Sequence, residues 1–228
     1  MRYWGRGRPR GIRGNGRPAT TRPLADYFLM IRLIGPGGAG KSTAGAVLAR
    51  LLALPFLDLD RSFAEVHGDI DRFIASHGYL AYARENVEIY RSLIHNQHDG
   101  ILALSSGFMT YSPAMHPHYA DLRRDIEQST TTFVLLPSLD LETCVAEIVR
   151  RQLGRPFSRR TASREEGVIR DRFDTYLSLS AHKIETMRLP AEVAAEILAR
   201  LPTRRERCTP GRDRCTPHGR DDAKADPI

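Results

Sequence analysis

Eight residues constrain this chain more than any others: Gly35-Pro-Gly-Gly-Ala-Gly40-Lys41-Ser42, with Thr43 next. They follow a short apolar run, Met30–Ile34, and lead into Lys41–Leu54, which has helical periodicity. Glycines let the backbone curl until several N–H groups face one anion, and the following helix N-terminus adds partial positive charge. The pattern G-x-x-x-x-G-K-[ST] between a strand and a helix predicts a P-loop. Gly35, Gly38, Ala39, Gly40, Lys41, Ser42 and Thr43 are then the expected ATP-binding residues. Lys41 is expected to bridge the β- and γ-phosphates, and the Ser42 hydroxyl to ligate Mg2+. The competing reading, a glycine-rich turn with a coincidental Lys-Ser, does not account for the strand before the loop and the helix after it.

Apolar and amphipathic stretches alternate along the rest of the chain. Strands are expected at Met30–Ile34, Pro55–Leu59, Gly100–Leu104, Thr131–Leu136 and Lys183–Thr186. Helices are expected at 62–74, 80–95, 140–151 (capped by Asp140), 165–179 and 190–201, the last with Pro190 in its first turn. Strands separated by helices imply a parallel sheet covered on both faces. The expected fold is a single three-layer α/β/α P-loop domain with a five-stranded parallel sheet and a short lid.

Charge bears on partners through its location. The chain has a formal net charge of +7. Residues 1–29 hold seven Arg and one Asp, and residues 203–228 hold seven basic and five acidic residues, which leaves 30–202 close to neutral. No nucleic-acid partner is therefore expected for the body. Residues 1–29 are expected to be a disordered Arg-rich arm or a non-native extension upstream of Met30, residues 30–202 the folded domain, and 203–228 a disordered tail. No run approaches the roughly 18 apolar residues that cross a bilayer. Three cysteines among 228 residues make no disulfide framework, so a cytoplasmic protein is expected, and a monomer.

Two further groups of residues carry chemistry. Asp58-Leu-Asp60 ends the second strand, and ligands of open α/β sheets sit at the carboxyl ends of strands. There one carboxylate can hold a metal through water, and the other can accept a hydroxyl proton from a phosphoryl acceptor. The bland alternative makes Asp60 the N-cap of a helix beginning near Ser62. The second group is Arg150-Arg-Gln-Leu-Gly-Arg155-Pro-Phe-Ser-Arg-Arg160. A closing lid that delivers arginine to phosphates excludes water and stabilises developing charge, and Arg155 is the candidate for that role. The alternative is a solvated basic loop.

Taken in order, these residues resemble the shikimate kinases, over roughly Ile31–Leu201. The matching features are the P-loop, the Phe-Leu-Asp-Leu-Asp strand end, Arg155-Pro, Arg172 with Tyr176 four residues on, and Ile-Glu-Thr at 184–186. The resemblance implies transfer of a phosphoryl group from ATP to the 3-hydroxyl of shikimate, in aromatic amino acid biosynthesis. It implies that Asp60 binds the acceptor hydroxyls and acts as or near the general base, and that Asp58 helps hold Mg2+. It implies that Arg172 pairs with the acceptor carboxylate, that Arg155 is the lid arginine, and that Arg188 and Pro190 pack adenine.

Two stretches depart from the family pattern. Where it has Gly-Glu-x-x-Phe-Arg-x-x-Glu, this chain reads Gly78-Tyr-Leu-Ala-Tyr82-Ala83-Arg84-Glu85-Asn86. An ungapped match puts Ala83 at the carboxylate-binding arginine, with Arg84 one place on, about 100° round a helix. Arg84 is the expected substitute. Where the family has three glycines, this chain has Ser105-Ser106-Gly107. Gly107 is expected against the substrate, and the serines either crowd the pocket or add hydroxyl donors to it. Two other readings stay open: the same transfer to a different small hydroxylated metabolite, or a kinase-like domain that senses a metabolite without turning it over.

Overall fold

The computed structural model describes residues 30–154 and 161–202. The expectations for residues 1–29, for residues 203–228 and for Arg155 in its lid lie outside the described residues. Five strands form one parallel sheet in the order β2-β3-β1-β4-β5. Their ranges are β1 Met30–Ile34, β2 Phe56–Asp58, β3 Gly100–Ala103, β4 Thr132–Leu136 and β5 His182–Glu185. Helices cover both faces of the sheet, so β3 and β4, on either side of β1, are buried at every residue.

One face of the sheet, carrying Ile31, Leu33, Ile101, Phe133 and Leu135, packs against α1 (Lys41–Leu52) and α8 (Pro190–Arg200). The opposite face, carrying Ile34, Leu102, Val134 and Leu136, packs against α4 (Tyr79–Asn96), α6 (Leu141–Leu153) and α7 (Ala162–Ser178). The architecture is the expected three layers.

Two details differ from the sequence reading. The single helix expected over 62–74 is two, α2 (Leu59–His67) and α3 (Ile70–His77). Gly68 at φ 80° ends the first, and the Asp69 side chain caps the second by accepting from the Arg72 N–H. A further helix, α5 (Tyr119–Gln128), was not expected. Its apolar face is short, Tyr119, Leu122 and Ile126 at helical spacing among otherwise polar residues. Among the described residues no helix is long and apolar enough to cross a membrane.

Candidate active site

The glycine loop leaves β1 at its carboxyl end and enters α1 through Gly40, at φ 92°. No side chain caps this helix, so its first-turn N–H groups are left for an anion. Gly35 cannot be replaced: at φ 140°, an added Cβ would lie 2.2 Å from the Leu135 carbonyl oxygen. The Lys41 ammonium donates to the carbonyls of Gly35 (2.7 Å) and Pro36 (2.9 Å), which ties the lysine to the loop it follows.

Asp58 does two things at the end of β2. Its Oδ1 accepts from the Asp60 and Arg61 N–H groups, which makes Asp58 the N-cap of α2, and its Oδ2 accepts from the Ser42 hydroxyl at 2.6 Å. The cap is thus Asp58 and not Asp60, because the helix starts three residues earlier than the sequence suggested. Asp60, in the first turn of α2, is released from capping and lines the chamber. Ser42 and Asp58 present adjacent hard oxygen donors. That set suits a Mg2+ ion taking its remaining ligands from phosphates and water.

Three cavities run side by side across the strand ends. The first, of about 330 Å³, is lined by Gly40, Thr43, Arg151, Thr186, Arg188 and Pro190. The second, of about 140 Å³, holds Lys41, Ser42, Asp58, Asp60, Ser106 and Gln152. The third, of about 330 Å³, is lined by Asp60, Tyr79, Tyr82, Gly107, Arg164 and Arg172, among others. Gly38, Gly40 and Thr43 border the first and second; Asp60 and Ser106 border the second and third. In this order the cavities can take a nucleoside, its phosphates with a metal, and an acceptor, with Asp60 at the last boundary.

The acceptor pocket explains both sequence departures. Arg172 is held in place by the Ser106 carbonyl (3.3 Å) and the Tyr79 hydroxyl (3.3 Å). Tyr176, wholly buried, donates to the same carbonyl at 2.6 Å. A Cβ on Gly107 would lie 2.6 Å from the Tyr79 hydroxyl and 3.4 Å from Arg172, so any larger residue there would have to displace the Tyr79 side chain. Ser106 contributes its backbone, and Ser105 turns into the core, where its hydroxyl donates to Asn86 Oδ1 at 3.3 Å. Ser105 therefore does not reach the pocket, whereas Ser106 borders both the second and the third cavity. Arg84 is not brought there: its Nε donates to the Met115 carbonyl at 2.9 Å, on the segment leading to α5. Ala83 is packed in the core at 2% exposure. Burial pushes the phenols of Tyr79, Tyr82 and Tyr111 upward, so all three stay protonated donors at neutral pH.

Beside Tyr79, Tyr82 and Arg164, the site holds Arg151 and Gln152, which were not singled out in the sequence. Arg151 donates to the Gly38 carbonyl (3.1 Å) and to the Thr186 hydroxyl (3.2 Å) and carbonyl (2.9 Å), while its Nε pairs with Glu147 at 2.6 Å. It clamps the P-loop to the end of β5 and lines the first cavity. Gln152, buried beside it, lies so close to Gly37 that a Cβ there would meet its amide nitrogen at 2.6 Å. That nitrogen also donates to buried Glu165 at 3.1 Å. Both belong to the basic stretch whose later residue, Arg155, drew attention; the helical face that turns them inward is a tertiary feature.

A P-loop opening on a chamber with Ser42 and Asp58, and then on a pocket that sets tyrosine hydroxyls and two arginines among carboxylates, is a layout suited to a P-loop phosphotransferase acting on a small molecule. The shikimate kinase family model matches residues 37–202. Over 177 residues the chain is 30% identical to shikimate kinase from Mycobacterium avium, covering 75% of this chain and 92% of that protein. Shikimate kinase from Rhodococcus jostii is 30% identical over 176 residues, covering 74% and 95%. The chain belongs to the shikimate kinase family, and with it to the kinases that phosphorylate an alcohol group, ATP being the donor the family implies. The fold agrees. The structure of shikimate kinase from Acinetobacter baumannii in complex with shikimate superposes with a TM-score of 0.59 at 23% identity, covering 74% of this chain and 90% of that one.

Proposed function

We propose that this protein transfers the γ-phosphoryl group of ATP to the 3-hydroxyl of shikimate, with Mg2+ as cofactor. The observation that carries this reading is the row of three adjoining cavities, with Asp60 at the boundary between the phosphate chamber and the acceptor pocket. Arg188 and Pro190 border the adenine side, the P-loop N–H groups and Lys41 hold the phosphates, and Ser42 and Asp58 hold the metal. When bound, Mg2+ neutralises phosphate charge that would otherwise oppose the approach of a nucleophile.

Arg172, kept in one orientation by Ser106 and Tyr79, receives the acceptor carboxylate, for which a guanidinium offers two parallel donors. Asp60 accepts the proton of the 3-hydroxyl as its oxygen forms a bond to the γ-phosphorus and the bond to the β-phosphate oxygen breaks, releasing ADP. Positioning and charge neutralisation supply the rate, with no covalent enzyme intermediate. The protein acts in this reading as a cytoplasmic monomer.

One observation favours a second acceptor. With Ala83 in the core and Arg84 turned away, Arg172 lacks the partner that the family pattern would place beside it, so a different small hydroxy acid is the alternative. The test is ADP release by the full chain at saturating Mg2+, with and without shikimate. Shikimate-dependent release supports the proposal. ATP binding without it overturns the acceptor and directs attention to other hydroxy acids.

A further inference from the structure

Behind the acceptor pocket lies a set of polar side chains that the reaction described above does not use. Asn86 is wholly buried, and Ser105, Tyr82 and Tyr111 are 2%, 6% and 6% exposed. Polar groups this deep cost free energy unless each is bonded, so their directions are tightly determined. Asn86 is the hub. Its Oδ1 accepts from the Ser105 hydroxyl at 3.3 Å, and its Nδ2 donates to the Tyr111 hydroxyl at 2.8 Å and the Tyr82 hydroxyl at 3.3 Å. An amide nitrogen can only donate, so the Tyr82 oxygen accepts and its own hydrogen is left for another partner. That partner is Asp60 Oδ1, at 3.5 Å.

The far end of this chain is the carboxylate at the boundary of the two cavities. Asp60 is exposed, and among the described residues the Tyr82 hydroxyl is the one side-chain hydrogen bond its carboxylate receives. Without it the carboxylate would rotate freely about its side-chain torsions. We propose that the neutral relay Ser105–Asn86–Tyr82 sets the orientation of Asp60, which makes Tyr82 a positioning residue for phosphoryl transfer. The 3.5 Å separation is long, as hydrogen bonds at catalytic groups often are before substrate is bound. Because every member is uncharged, the relay orients the base without adding further charge to the acceptor pocket. The inference rests on the role of Asp60 in the reading above.

The test uses Tyr82→Phe, which removes one oxygen and leaves Asn86 bonded to Tyr111, together with Ser105→Ala and the double variant, all in the full chain. A misdirected catalytic group costs up to about 100-fold, so kcat with shikimate should fall roughly 10- to 100-fold in Tyr82→Phe, with the Kd for ATP unchanged. Ser105→Ala should lose less, and the double variant no more than Tyr82→Phe alone, because both break one chain. Crystal structures should show the Asp60 side chain in one rotamer in the wild type and in several in Tyr82→Phe. Wild-type kcat in Tyr82→Phe, additive losses in the double variant, or an unchanged single Asp60 rotamer would each overturn the proposal. If the wild-type chain does not turn over shikimate, the functional reading fails on its own, and the rotamer comparison still decides this one.

Discussion

At the scale of single residues, position in the fold separates arginines and lysines that look alike in the sequence. Lys41 lies against the phosphate chamber and is tied to the loop carbonyls of Gly35 and Pro36. Lys41→Ala should lower kcat by at least about 100-fold while the protein still melts cooperatively, as measured by ADP release and by calorimetry. Arg172 and Arg84 form the sharper contrast. Arg172 lines the acceptor pocket and Arg84 does not. Arg172→Ala should raise the KM for shikimate by more than 10-fold, since about 1.4 kcal/mol corresponds to each factor of ten and a charge-assisted pair exceeds that. Arg84→Ala should leave that KM within about twofold, a steady-state comparison that checks the register of α4 directly. The sequence placed Arg84 about 100° from the expected arginine, and that offset proves decisive: one residue along, the side chain belongs to another face of the helix.

Secondary-structure elements bring the site together through their ends. Asp58 joins β2 to α2 and at the same time meets Ser42 at the start of α1. Asp58→Ala should therefore have two separable effects. Loss of the N-cap should cost about 1 kcal/mol, visible as a lower Tm. Loss of the carboxylate should raise the Mg2+ concentration needed for half-maximal activity, read from a metal titration. Asp58→Asn keeps the capping acceptor and should restore most of the Tm but not the metal dependence. The splitting of the expected 62–74 helix into α2 and α3 follows from Gly68 and Asp69, a stop and a start signal side by side that apolar periodicity overrode. The unexpected α5 had the opposite difficulty: its apolar face, Tyr119, Leu122 and Ile126, is spread thinly over a short and mostly polar stretch.

At the scale of the whole molecule, α6 links the nucleotide loop to the sheet edge through charge. Glu147 accepts from Arg150 and from Arg151, and these hydrogen bonds, Arg150's foremost, hold its carboxyl at about 2, against an ordinary 4.5. A carboxyl depressed in the folded state stabilises that state fully above about pH 4.5 and loses the contribution as pH falls toward 2. Glu147→Gln should have a lower Tm than wild type at pH 7, and the gap should close between pH 4.5 and 2, as followed by thermal melts. By itself the sequence determined the layered α/β fold, through apolar runs whose lengths and spacing admit a parallel sheet. It also determined the phosphate loop, because that chemistry is written in contiguous residues whose glycines have no other use. Only the tertiary structure decided which of the expected residues share the third cavity, leaving Arg84 out and bringing Tyr79 and Tyr82 in. Arg172, Tyr79, Tyr82, Gly107 and Asp60 come from four separate segments, and their meeting depends on helix phase and packing. The same holds for Arg151 and Gln152, which look like part of a basic surface stretch until α6 turns them toward the P-loop. Contacts made along a short stretch of chain are encoded locally, whereas contacts between segments exist only once the core has fixed how each element is rotated.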